Sequence, residues 1–102
     1  MRDYRNVAKN ADVVMYVYVT DTAGSLLGVI DIRELLQAEL HDQLSDIMTS
    51  NVVVLHETES VADARKLFAR YGFRAIPVVD EANLLKGVIP YRDVMQLAHA
   101  AT

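Results

Sequence analysis

The sequence contains no cysteine, which removes disulfides, thiolate metal sites and thiol nucleophiles together and leaves the redox compartment undetermined. It has no excess of basic charge either: the net charge is -4 and the pI is near 5.2. A nucleic-acid partner would need a basic face, so the charge argues against that class. No apolar run approaches the roughly 18 residues of a membrane span, and Met1-Arg2-Asp3-Tyr4 does not begin a secretory signal. The piece therefore reads as soluble by itself, without direct membrane insertion; if it belongs to a membrane protein, the membrane part lies outside this sequence. Gly24 and Gly28 sit in no phosphate-cradling glycine motif, and there is no nucleophile elbow. His41, His56 and His99 share no ligand spacing. An enzyme is not the expected reading.

What the chain does have is a repeat. At an offset of 59 residues Val19 matches Val78, Asp21 matches Asp80, Ala23 matches Ala82 and Leu26 matches Leu85. The match continues through Gly28 and Gly87, Val29 and Val88, Ile30 and Ile89, Arg33 and Arg92, Gln37 and Gln96. Residues of such varied type do not agree through shared apolar composition alone, so the chain is a duplicated module. Its 102 residues make one small domain or two intimately packed halves.

The local patterns give the order of elements. Residues 3–10 are helix-compatible, and the continuous apolar run Val13 to Val19 suits a strand covered on both faces. Asp21-Thr22-Ala23-Gly24-Ser25 turns the chain into a second strand at Leu26 to Ile30. Asp31 and Glu34 form a capping box for a helix over 31–40. Residues 41–46 read as a polar connector, and Val52 to Leu55 as a strand. Thr58 or Ser60 caps the next helix, whose apolar face is Val61, Ala64, Leu67, Phe68 and Tyr71, and Gly72 stops it. Arg74 to Asp80 and Leu84 to Ile89 are strands, and a last helix runs from about Pro90 to His99. Pro77 has no amide to donate, so it must face an edge or a gap.

The second unit is thus strand, helix, strand, strand, helix, opening near Ile47-Met48, and the first lacks its opening strand. The expectation is an α/β fold of βαββα repeats with small mixed sheets flanked by helices, divided into a partial first repeat (1–45) and a complete second one (46–102). A piece of a longer protein, or a partner chain that supplies the missing cover, would account for the truncation.

A unit of this order carrying Asp46-Ile47-Met48-Thr49, Ile76-Pro77-Val78-Val79-Asp80 and Gly87-Val88-Ile89 resembles a CBS (cystathionine β-synthase) domain. Within that superfamily, the tyrosine-rich strand Tyr16 to Val19, the helix opening Ile32-Arg33-Glu34-Leu35-Leu36 and the turn Tyr71-Gly72-Phe73 are similar to the cytosolic regulatory part of MgtE-type magnesium transporters. The resemblance implies a module without catalytic residues, paired and dimerised through its helices, contacting other domains of the same transporter chain on the cytoplasmic side of the membrane. It implies ATP or AMP in the cleft between repeats, and Mg2+ bridging acidic side chains between domains to close the pore.

Carried over residue by residue, the nucleotide positions are Tyr16, Arg33, Glu34, Phe73 and Asp93. The hydroxyl positions of the family motif fall on Asp31 and Pro90. On the metal side Asp93 is retained, while other acidic positions fall on Ser60, Ala62 and Gly72. Each of these residues also has a plain structural reading. Asp31 and Glu34 cap a helix, Arg33 and Arg92 pair with a neighbouring acid, Tyr16 and Phe73 pack in a core or dimer contact, and Asp93 answers a helix dipole. The leading functional expectation is a magnesium sensor that gates transport, possessing or lacking a nucleotide response. The alternatives are an adenine-nucleotide module attached to another enzyme or channel, and a purely structural dimerisation module.

Overall fold

A computed structural model describes residues 15–94. The expected helix at 3–10, the strand residues Val13 and Val14, and the last helix beyond Val94 lie outside the described residues.

Strands β1 (Tyr16–Thr20) and β2 (Leu26–Asp31) form an antiparallel hairpin. Helix α1 (Ile32–Gln37) follows directly, then a four-residue helix α2 (Leu44–Ile47) and the short strand β3 (Leu55–His56). Helix α3 (Val61–Tyr71) leads into the second hairpin, β4 (Ala75–Val79) and β5 (Leu85–Pro90), and residues 91–94 open another helical turn. The second sheet has the order β3-β4-β5, with β3 parallel to β4 and β5 antiparallel to it. This is the small mixed α/β architecture expected.

The duplication holds at the level of register. Tyr16 faces Asp31 and Val17 faces Ile30 in the first hairpin; Ala75 faces Pro90 and Ile76 faces Ile89 in the second, and both hairpins slip at the same place, Val19/Thr20 and Val78/Val79. The turns correspond as well. Asp21 Oδ1 accepts from the Ala23 and Ser25 amides at 3.0 and 2.9 Å, and Asp80 Oδ1 accepts from Ala82 and Leu84, both at 2.9 Å. Each turn ends in a left-handed residue, Gly24 at φ 94° and Asn83 at φ 67°. Those two turns lie against each other: the Leu26 amide donates to Asn83 O and the Leu85 amide to Gly24 O, both at 3.0 Å, and Asn83 Nδ2 donates to Leu26 O at 2.9 Å. The hairpins are therefore related by an approximate twofold axis passing between the turns.

Fully buried Ile30, Ile76 and Val79 anchor the interior, and Leu55, Ala64, Phe68, Ile76 and Val94 form the core of the second repeat. Ser60 caps α3 by accepting from the Asp63 amide, with Asp63 reaching back, and Gly72 ends it at φ 67°. Thr58 is not the cap. Of the expected apolar face, Ala64 and Phe68 are buried, whereas Val61 and Tyr71 are exposed.

Three boundaries differ from the sequence pattern. Helix α1 stops at Gln37 rather than 40, because Asp42 Oδ2 takes the Glu39 amide at 2.9 Å and Leu40 finds nothing to pack on, at 99% exposure. A side chain that captures a backbone amide competes with the helix ladder. The strand expected at Val52 to Leu55 is only Leu55–His56. The Tyr91 amide bonds to Arg74 O, so alternate residues of β4 bond to β5 and Pro77 turns its missing amide toward the β3 side. No donor exists there to extend β3 past Leu55, and Pro77 indeed faces a gap. Pro90 ends β5, with the helical turn opening after it, so it is not the first residue of a helix.

Candidate functional site

Successive residues of a strand point to opposite faces, so Tyr16 and Tyr18 share one face of β1; their rings lie 6.4 Å apart. Facing them across the approximate twofold are their register equivalents in β4, Ala75 and Pro77. One repeat thus presents two rings where the other presents two small residues, and the difference leaves a hollow of about 50 Å3 lined by Tyr16, Tyr18, Val29, Val53, Phe73, Ala75 and Pro77. Phe73 reaches it from the turn after α3, stacked on Tyr71 at 5.4 Å and 11° and packed against the second-repeat core. Phe73 therefore packs against the core, as its structural reading has it, and also lines the hollow.

The Tyr18 hydroxyl is buried and, among the described residues, has no hydrogen-bond partner. Burial, helped by the nearby Tyr16 phenol, pushes its pKa up to about 12, so at neutral pH it is protonated. A buried polar group without a partner is rare and asks for an occupant. Sequence reasoning missed Tyr18; its signal was the Tyr-Val-Tyr alternation, which put it on the same face as Tyr16.

Arg33 and Glu34 stand at the end of β2, whose last residue, Asp31, is the strand partner of Tyr16. The Asp31 carboxylate accepts from the Arg33 amide at 2.8 Å and from its guanidinium at 2.9 and 3.2 Å. Glu34 Oε1 accepts from the Asp31 amide at 3.3 Å, completing the capping box. The Arg33 guanidinium holds the Asp31 carboxyl below the usual carboxylate range. This pair is the salt bridge expected as one reading of Arg33. Pro90 occupies the position equivalent to Asp31, so Arg92 lacks the same partner.

Asp93 is not brought to this hollow. It is exposed and lines a separate groove of about 300 Å3 with Glu59, Ser60 and Pro90. Among the described residues no three histidine, aspartate or glutamate side chains gather as a metal site. The hollow between the repeats is aromatic on one side, but at about 50 Å3 it is smaller than a ring-sized ligand pocket.

The CBS domain family model matches residues 44–100, and the chain belongs to that family. Its particular likeness is to the magnesium transporter MgtE of Thermus thermophilus, 33% identical over 100 residues, 98% of this chain and 22% of that protein. The crystal structure of the cytosolic domain of the Mg2+ channel MgtE in complex with ATP superposes with a TM-score of 0.79 at 33% identity, covering 92% of this chain and 38% of that one. The structure of the soluble part of a magnesium transporter gives a TM-score of 0.82 at 28% identity, covering 96% and 38%. The chain spans about a fifth of the length of the transporter that it matches. No helix among the described residues is long and apolar enough to cross a membrane.

Proposed function

We propose that this chain is a regulatory CBS module of an MgtE-type magnesium transporter, on the cytoplasmic side of the membrane, in which an adenine nucleotide held between the repeats adjusts a response to Mg2+. The observation that carries the nucleotide reading is the hollow between the repeats lined by Tyr16, Tyr18 and Phe73; a likeness to an ATP-bound MgtE domain supports it.

In this reading the Tyr16 and Phe73 rings hold the base by stacking, which is worth about 0.5–1.5 kcal/mol per aromatic pair. Tyr18 donates to an acceptor on the base edge. Arg33 turns from Asp31 toward phosphate; its side chain is 73% exposed, and an exposed ion pair contributes only about 0–1 kcal/mol, so the exchange opposes binding little. Glu34 serves the ribose through the carboxylate oxygen left free by the cap.

Magnesium takes one or two protein carboxylates and keeps several waters. Asp93 supplies one, and acids from other domains of the transporter chain supply the rest. The division into a partial repeat (1–45) and a complete one (46–102), and a homodimer through the helices, belong to the same proposal; the exposed Val61 and Tyr71 of α3 offer apolar surface for that contact.

Thermal unfolding with ATP, AMP or Mg2+ tests it. Nucleotide at about a hundred times its dissociation constant adds about 2.7 kcal/mol, several degrees in a domain of this size. A shift that disappears in Phe73→Ala and shrinks in Arg33→Ala supports the site. No shift with either nucleotide overturns it. A nucleotide shift in a longer chain that shows no magnesium response moves the module to the wider class of adenine-nucleotide CBS regulators.

A further inference from the structure

Tyr16 and Asp31 are cross-strand partners in the first hairpin. The Ile32 amide donates to Met15 O at 2.9 Å, which makes them a non-hydrogen-bonded pair, the kind whose side chains stand closest, on one face of the sheet. That is the face on which Tyr16, Tyr18 and Val29 line the hollow. Asp31, two residues beyond Val29, therefore carries its carboxylate at the Tyr16 end of the hollow. The second hairpin matches this pair with Ala75 and Pro90. Ring and carboxylate are present together in one repeat and replaced together in the other.

Charge at this end is unevenly held. Asp31 is the fixed member: its side chain is 19% exposed and accepts from the Arg33 amide, Nε and NH2 at once. Arg33 is the loose member, with 73% of its side chain exposed. The Asp31 amide is engaged as well, donating to Glu34 Oε1. A phosphate arriving here meets donors already bonded to the chain's own carboxylates, and two negative charges beside one positive.

We propose that Asp31 is a specificity-determining residue, an anion built into the chain that makes the site prefer an adenine nucleoside over its phosphorylated forms. This rests on the reading of the hollow as an adenine site, with the base against Tyr16 and Phe73. A ribose hydroxyl can donate to a carboxylate, whereas a nucleotide phosphate brings like charge to it. Turning Arg33 toward the phosphate does not remove the conflict, because the carboxylate stays in place and loses its counter-ion. Glu34 adds a second acceptor for hydroxyls and a second charge against phosphate.

Isothermal titration of the full chain with adenosine, AMP and ATP, at equal ionic strength and without Mg2+, tests this. Adenosine is expected to bind at least as tightly as either nucleotide. Asp31→Asn keeps a capping oxygen and removes the charge. It is expected to tighten AMP and ATP by about three- to tenfold, the scale of one like charge a few ångströms away in a site open to water, and to leave adenosine unchanged or weaker. Asp31→Ser, another neutral cap, is expected to behave alike, which separates charge from side-chain shape. The gain should shrink as salt is raised. AMP or ATP outbinding adenosine on the parent chain overturns the proposal while leaving the adenine site standing. So do nucleotide affinities that fail to rise relative to adenosine in Asp31→Asn, which would make Asp31 merely structural. Binding of none of the three overturns the adenine reading itself, and this proposal with it.

Discussion

At the scale of single residues, the two matched glycines make opposite predictions from the same sequence motif. Gly28→Ala places a methyl against Met48 and against the Thr49 carbonyl; overpacking of this kind costs about 1–3 kcal/mol, and the urea midpoint should fall accordingly. Gly87→Ala meets nothing and should stay within about 0.5 kcal/mol of the parent. Tyr18→Phe should separate stability from binding. Removing a buried hydroxyl without a partner should raise stability by about 1 kcal/mol and weaken ATP by about fivefold, because the donor to the base is gone. Calorimetry and ligand titration on one variant read both. Tyr16 and Phe73 were singled out through the family resemblance, and both line the hollow between the repeats. The unsatisfied state of Tyr18 was not legible in the sequence, since it depends on Pro77 and Ala75 lying across the gap, and no local pattern records what faces a strand from another repeat.

At the scale of elements, the paired turns hold the repeats together. Asn83 adopts a left-handed backbone and donates its side-chain amide to Leu26 O at 2.9 Å. Asn83→Ala forfeits that bond and strains the backbone, about 2 kcal/mol in sum, whereas Asn83→Gly keeps the conformation and loses about half as much. Equal losses in the two variants, measured by denaturant unfolding, would contradict this division. The elements themselves were largely readable: both hairpins, the capping box of Asp31 and Glu34, and the Gly72 stop fall where propensity and capping put them. Their ends were not. Asp42 intercepts α1 by taking the Glu39 amide, a local competition, and Pro77 silences the ladder beyond Leu55 because it has no amide to give. The α3 stripe fails at Val61 and Tyr71 for a related reason, since periodicity marks an apolar face but not how much of it the described core covers.

For the molecule as a whole, the acid limb of stability is set by carboxylates held down in the folded state. Asp31 is lowered by Arg33, and Asp63 by the Ser60 amide. Groups with depressed folded pKa values stabilise the fold above their unfolded value and lose that contribution as pH falls through the folded one. Stability should therefore decline only below about pH 4 on their account, and Asp31→Asn, which keeps a capping oxygen but no charge, should flatten that decline. The 59-residue offset was the most informative feature of the sequence, because register, slip and turn all repeat at it in the structure. What it could not predict was the difference between the halves.

That difference has a history implied by the reciprocal bonds between the turns, where each side gives one amide and takes one carbonyl. Two separate copies of a half-length ancestor would make the same exchange about a true dyad. In such a dimer every substitution appears on both sides of the axis at once, so a ring could never face an alanine there. Joining the copies in one gene removes that constraint, and Tyr16 opposite Ala75 and Tyr18 opposite Pro77 are what independent drift of two tandem copies leaves behind: a single lopsided pocket where the ancestor had a symmetric seam.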